Sequence, residues 1–179
     1  MLDKENSLLL IIDMQEKLVA ALDKDVVVKR TATLTQATKI FEIPVIATQQ
    51  YSKGLGLTVE AISQKFSPDT KIFEKTAFSA FKEQGFADIL KSYNKKQIVI
   101  CGIETHICVH QTTQDLIEAG YEVYVVKDAC ASRNKYEFKQ GIERMYQNGA
   151  KISCLEMVLF EWLKDAKAPE FREIQALVK

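Results

Sequence analysis

Short apolar runs alternate with longer amphipathic stretches along the whole chain. The runs are rich in isoleucine and valine and apolar at successive positions, which is typical of strands that are buried on both faces in a parallel sheet. Each run is followed by polar residues or by a helical pattern, so the alternation predicts strands joined by helical crossovers. The predicted strands are residues 7–12, 44–48, 71–73, 97–101, 122–126 and 151–154.

Between these runs, apolar residues recur at the three- and four-residue spacing of an amphipathic helix. Gly120 and Gly149 follow two of these stretches, at the position where a helix C-terminus often has glycine. The predicted helices are residues 26–41, 81–93, 105–119, 135–148, 155–163 and 169–178. This pattern predicts an α/β fold, a three-layer sandwich with a central, mostly parallel six-stranded sheet and right-handed crossovers.

Length, charge and cysteine content narrow the class of protein. A chain of 179 residues favours a single domain over residues 1–179. Lys+Arg and Asp+Glu number 24 each, so the net charge does not favour binding to nucleic acid or to an anionic membrane. The longest aliphatic run, residues 8–12, is far shorter than the roughly 20 residues of a membrane span. The N-terminus does not resemble a secretory signal, and four widely spaced cysteines indicate reduced thiols, so we expect a cytoplasmic protein.

Three residues with catalytic potential lie at the carboxyl ends of predicted strands. Asp13 follows the first strand, Lys75 follows the third, and Cys108 lies about one turn into the helix after the fourth. Ligands of open α/β sheets bind beyond this edge, where a carboxylate, an ammonium and a thiol would form a base, a cation and a nucleophile. Taken singly, each also has a structural explanation, as a helix cap, a solvated lysine and a core cysteine.

The position of Cys108 predicts an ionised thiol. The dipole at a helix N-terminus stabilises a thiolate, and a nearby lysine adds to that effect, so the pKa of the thiol should be lowered. We therefore expect iodoacetamide to label Cys108 faster than Cys101 or Cys154 near neutral pH. Backbone amides at the same helix end could bind an oxyanion.

Three separated motifs resemble the isochorismatase-like cysteine hydrolases, a family that includes nicotinamidases and N-carbamoylsarcosine amidases. They are Leu-Ile-Ile-Asp-Met-Gln at 10–15, Lys-Thr-Ala-Phe-Ser-Ala-Phe at 75–81 and Gly-Ile-Glu-Thr-His-Ile-Cys-Val at 102–109. Each motif is short, and their order and their placement at strand ends make the match specific. The similarity continues through 126–133 and into the tail at 169–179, so it covers nearly the whole chain.

The resemblance implies a catalytic triad of Asp13, Lys75 and Cys108 and a cis peptide bond between Ile103 and Glu104. It also implies an oxyanion hole formed by the backbone amides of Glu104 and Cys108. In the implied reaction, Asp13 accepts the thiol proton, Lys75 stabilises the thiolate, and the sulfur attacks an amide carbonyl to form a thioester. Water then releases the acid, and no cofactor takes part.

The chain departs from the nicotinamidases after the second predicted strand. Nicotinamidases bind a metal there through an Asp-x-His…His arrangement, whereas residues 48–56 contain neither histidine nor aspartate. His106 and His110 have the spacing of two ligands on one helix face, but no third ligand is evident. We therefore expect no metal, and nicotinamide is not indicated as the substrate.

Four residues are candidates for contact with a small-molecule substrate, namely Gln49, Tyr51, Phe78 and Thr105, and Thr105 is also a candidate helix N-cap. The side chain of Glu104 could face either a subunit interface or the mouth of the site. The resemblance further favours a homo-oligomer, a dimer or larger.

The sequence therefore favours a metal-independent cysteine hydrolase that cleaves a small amide or related C–N bond. The alternative is a catalytically silent protein of the same fold that binds a partner. A dinucleotide-binding domain has little support because no G-x-G-x-x-G motif follows the first strand. A thiol redox role for Cys108 would lack a resolving cysteine at C-x-x-C spacing.

Overall fold

The computed structural model describes residues 1–22 and 25–179. In that part of the chain the strands are β1 Ser7–Ile12, β2 Val45–Gln50, β3 Lys71–Lys75, β4 Gln97–Ile103, β5 Glu122–Ala131 and β6 Lys151–Ser153. They form one sheet in the order β3-β2-β1-β4-β5-β6, and every neighbouring pair is parallel. The predicted six-stranded sheet is confirmed.

Helices flank this sheet. They are α1 Glu16–Ala20, α2 Asp25–Ile40, α3 Ser52–Leu55, α4 Glu60–Ser63, α5 Phe86–Ser92, α6 His110–Glu118, α7 Lys135–Gln147, α8 Leu155–Leu163 and α9 Phe171–Val178. Short 3₁₀ turns lie at Lys4–Asn6 and Ala80–Lys82, and a π-helical turn at Thr105–Val109 leads into α6. Helix α2 packs with α8 and α9, whereas α6 packs with α7, and both groups contact the sheet at β5. This arrangement is the α/β architecture that the sequence predicts.

Two local predictions are wrong. The helix predicted over 81–93 is divided into the Ala80–Lys82 turn and α5, because the backbone is extended at Glu83 after the turn and left-handed at Gly85, the N-cap of α5, where φ is 84°. The third strand, predicted to be buried on both faces, lies at the sheet edge, where Ile72 is 49% exposed. Charged side chains such as those of Lys71 and Glu74 are typical of an edge strand, which is open to solvent on one side.

The centre of the sheet is fully buried, and it fixes where the strand ends lie. Every residue of β1 and of β4 is buried. Gly102 of β4 has a φ of 124° and lies against the backbone of β1, where a Cβ would be 2.1 Å from the carbonyl oxygen of Ile12. Only glycine fits at this point, so the residues that follow β1 and β4 emerge side by side.

In residues 1–22 and 25–179, no helix combines the length and apolar composition that crossing a membrane requires.

Candidate active site

The carboxyl edge of the sheet brings together Asp13, Lys75 and Cys108. Asp13 follows β1, Lys75 is the last residue of β3, and Cys108 lies in the π-helical turn after β4. Nζ of Lys75 lies 2.8 Å from Oδ2 of Asp13, and both side chains are fully buried. The Cys108 thiol, in a residue that is 7% exposed, interacts with both charged groups. The structure thus places a buried ion pair beside a nearly buried thiol.

Asp13 is held by Thr48, a residue of β2. Its Oδ1 accepts a hydrogen bond of 2.6 Å from the Thr48 hydroxyl, and its backbone N–H donates to the same hydroxyl at 3.2 Å. The second carboxylate oxygen, Oδ2, is buried and accepts no hydrogen bond from a side chain or backbone group of the described residues, although it contacts the Lys75 ammonium. Oδ2 is therefore the oxygen that is left to receive a further proton.

The Lys75 ammonium donates to three neutral carbonyl oxygens. Nζ donates to Oε1 of Gln50 at 2.5 Å and to the backbone carbonyl oxygens of Ala77 and Phe78 at 3.2 Å each. An ammonium has three protons, so each has an acceptor even though the side chain is removed from water. The ammonium thus has a hydrogen-bond acceptor for each of its protons, and its interaction with the Asp13 carboxylate is electrostatic.

Burial raises the pKa of the Cys108 thiol to about 12; the Asp13 carboxylate also raises it, and the Lys75 ammonium lowers it. The sequence-based prediction of a lowered pKa is wrong, because burial and an adjacent carboxylate outweigh the lysine. The expectation of rapid labelling near neutral pH loses its basis for the same reason. The resting sulfur is a thiol beside a carboxylate, so it needs a base before it can act as a nucleophile.

The peptide bond between Ile103 and Glu104 is cis, at the start of the π-helical turn. The Glu104 carboxylate accepts a hydrogen bond from the Arg133 backbone at 2.9 Å and contacts Nε of the same residue at 3.1 Å. Glu104 therefore ties this turn to the segment after β5. Thr105 is not the N-cap, because Glu104 occupies that position without a side-chain cap.

The four predicted substrate contacts differ in accessibility. Tyr51 and Phe78 are each 56% exposed. Gln49 is buried, and its side-chain amide donates a hydrogen bond of 3.1 Å to the Thr58 hydroxyl. Thr105 is fully buried. Tyr51 and Phe78 are the two that solvent reaches, and substrate contact through any of the four stays a prediction.

Sequence reasoning missed Thr48 and Gln50, which contact Asp13 and Lys75. Side chains of a strand alternate between its faces, so residues two apart in β2 share one face and Gln49 between them lies on the other. Counting by two from the strand end would have selected Gln50 in place of Gln49. Gln15, in the first motif, was also missed, and it contacts the backbone of Gln50.

His106 and His110, the two histidines with the spacing of metal ligands, differ in their surroundings. Nδ1 of His106 lies 2.9 Å from the Ser132 hydroxyl, and Nε2 lies 3.7 Å from the Glu137 carboxylate. Burial lowers the pKa of His110, and the positive charge of Arg144 adds to that effect. Over residues 1–22 and 25–179, no three His, Cys, Asp or Glu side chains are grouped so as to hold a metal ion.

Helix α7 packs directly on the turn that carries Cys108. A Cβ at Gly141 would lie 3.0 Å from Cα and 3.1 Å from N of His106, and 3.1 Å from the carbonyl oxygen of Thr105. Glycine at this position lets α7 pack closely against the backbone of the turn that contains Cys108.

Comparison with known proteins gives consistent matches over nearly the whole chain. The isochorismatase domain matches residues 7–157. The chain is 37% identical over 178 residues to the secreted isochorismatase effector Isc1 of Phytophthora sojae (strain P6497), covering 97% of this chain and 85% of that protein. The structure of the MAR1 ribonuclease from Caenorhabditis elegans superposes with a TM-score of 0.93 at 35% identity, covering 99% of this chain and 91% of that one. The YcaC gene product of Escherichia coli, described as an octameric hydrolase of unknown specificity, gives a TM-score of 0.88 at 26% identity and covers 98% and 94%.

Proposed function

Because the chain belongs to the isochorismatase family and has its hydrolase-type fold, we propose that it is a cysteine hydrolase that cleaves a small amide or related C–N bond. The observation that carries this proposal is the buried Asp13 carboxylate, whose Oδ2 contacts the Lys75 ammonium at 2.8 Å and which interacts with the Cys108 thiol. A buried carboxylate oxygen of this kind is suited to act as a general base.

The proposed reaction uses the chain's own groups. Asp13 accepts the thiol proton as the sulfur of Cys108 attacks the substrate carbonyl carbon, and the carbonyl oxygen becomes an oxyanion. The backbone N–H groups of Glu104 and Cys108 are the proposed donors to that oxygen. Collapse of the tetrahedral intermediate breaks the C–N bond, and protonated Asp13 passes its proton to the leaving nitrogen, which leaves a thioester on sulfur.

Hydrolysis of the thioester completes the cycle. Asp13 accepts a proton from water as the water oxygen attacks the thioester carbonyl, and the proton returns to sulfur when the acid leaves. The Lys75 side chain stabilises the negative charge that appears on sulfur. The proposal requires no metal and no cofactor.

We also propose that the protein is a homo-oligomer that acts on a small molecule and not on nucleic acid. An octameric neighbour that matches 98% of the chain supports assembly, and a net charge of zero supports the absence of a nucleic-acid partner. Cytoplasmic location stays a prediction, and one relative is described as secreted.

The test is a hydrolysis screen of small amides and ureides, with RNA as a further substrate because one neighbour is described as a ribonuclease. Wild type should release amine or ammonia from at least one amide, and Cys108→Ala should lose at least about 1,000-fold of that rate. Failure with every amide would favour the silent binding protein of the same fold. RNA cleavage that survives in Cys108→Ala would contradict the proposed chemistry.

Gly141→Ala should lower turnover about tenfold or more with little change in thermal stability. Alanine favours the helix by about 1 kcal/mol, which offsets the crowding, but the added methyl pushes the turn that carries Cys108. The exposed neighbour Gln140→Ala is the matched control, because it changes α7 without touching the turn. Equal turnover in both variants would show that the contact is unimportant.

A further inference from the structure

A glutamine side chain is the polar group that lies nearest to the Lys75 ammonium among the described residues. Oε1 of Gln50 lies 2.5 Å from Nζ, compared with 2.8 Å for Oδ2 of Asp13 and 3.2 Å for the carbonyl oxygens of Ala77 and Phe78. The position of the cation between its neighbours therefore depends on where the Gln50 amide is held.

The Gln50 amide has only one favourable orientation. While Oε1 accepts from Lys75, Nε2 donates to the carbonyl oxygen of Thr76 at 2.7 Å. Rotation of the amide by half a turn would bring an NH₂ group against the ammonium and an oxygen against the Thr76 carbonyl. Both contacts would then be repulsive, so the carbonyl oxygen stays directed at Lys75.

The backbone of Gln50 is in turn fixed by Gln15. Strand β1 pairs with β2 only as far as Ile11 and Ala47, so the end of β2 lacks a neighbour on that side. The buried Gln15 side chain fills this place: its Oε1 accepts from the Gln50 N–H at 2.7 Å, and its Nε2 donates to the Gln50 carbonyl at 3.1 Å and to that of Gly56 at 2.7 Å.

We propose that Gln50 is a positioning residue that holds the Lys75 ammonium against the Cys108 thiol, and that Gln15 supports it. The inference rests on the proposed function, because it assigns a role within the same site. A neutral carbonyl orients the cation without adding a second negative charge to that of Asp13, as another carboxylate would do. Asp13 and Lys75 are the charged groups among the described residues that act on the thiol, so a displaced ammonium changes the fraction of thiolate.

The test measures the rate of Cys108 alkylation by iodoacetamide as a function of pH, with peptide mapping to separate Cys108 from the other cysteines. Gln50→Glu adds a negative charge beside Lys75 and should slow alkylation about tenfold or more at a given pH, which moves the profile upward by about one pH unit. Gln50→Met removes the acceptor at similar length and should slow alkylation about threefold or more. Exposed Gln140→Glu makes the same charge change on α7 and should leave the profile unchanged.

A residue that is only structural would lower the melting temperature and leave the pH profile in place. Profiles of both Gln50 variants that coincide with wild type would overturn the inference, and if Gln50→Glu does not fold, Gln50→Met decides. Shifted profiles in a protein that hydrolyses no amide would sink the proposed function and leave this inference standing. Unshifted profiles in a protein with Cys108-dependent turnover would overturn this inference and leave the proposed function standing.

Discussion

Asp13→Asn is expected to abolish amide turnover and, at the same time, to make the Cys108 thiol easier to alkylate. The asparagine cannot accept the thiol proton, so turnover should fall by about 1,000-fold or more. The carboxylate also raises the pKa of the Cys108 thiol, so its removal leaves the Lys75 ammonium to lower that pKa. At pH 8, below the pKa of about 12, alkylation by iodoacetamide should therefore become roughly tenfold faster or more.

The two opposite changes separate a general base from a residue that only maintains the fold. Loss of folding would reduce turnover and would expose all four cysteines to the reagent, which peptide mapping detects. Asp13→Asn also leaves the Lys75 charge buried without its partner, which costs about 3–5 kcal/mol. If that variant unfolds, Asp13→Asn with Lys75→Met restores a neutral pair and should be folded and inactive. Retained turnover in either protein would contradict the assignment of Asp13.

Gly102→Ala should destabilise the fold by about 4 kcal/mol or more, the largest effect on stability that we expect from a single methyl group. The added Cβ would lie 2.1 Å from the carbonyl oxygen of Ile12, inside the fully buried centre of the sheet, where neither strand can move. The positive φ of 124° adds strain for any side chain with a Cβ. Chemical denaturation with urea measures the change in the free energy of unfolding.

Gly120→Ala is the matched control for this experiment. Gly120 also has a positive φ, 86°, but its Cβ would meet no atom within 4 Å. The control should therefore lose only about 1–2 kcal/mol, the cost of the left-handed conformation. Equal losses at the two positions would show that backbone strain alone acts at Gly102 and that the close approach of β1 and β4 is not tight.

Much of the fold follows from the sequence because burial in a parallel sheet produces a recognisable pattern. β1 and β4 are apolar throughout, since both of their faces are covered. The same rule failed for β3, which lies at the sheet edge and has the charged residues of an edge strand. The break near Gly85 could have been found locally, because a glycine inside a helical pattern weakens the prediction of a continuous helix.

The triad positions could be predicted because strands of a parallel sheet all end at one edge, so residues after different strands meet there. Of the residues that orient them, Gln50 could have been selected by counting along β2. Gln15 could not, because it acts on the backbone of Gln50, 35 residues away in the chain. The pKa of Cys108 was predicted with the wrong sign for a related reason. The helix terminus is a local feature, whereas the burial that dominates the pKa comes from the whole fold.

Acid quenching of the protein during hydrolysis of an active amide, followed by mass analysis of the peptide that contains Cys108, tests the nucleophile most directly. The account predicts a mass increase equal to the acyl group of the substrate on that one cysteine, and neither adduct nor hydrolysis in Cys108→Ala. Product formation with the thiol unmodified, together with full activity in Cys108→Ala, would contradict it.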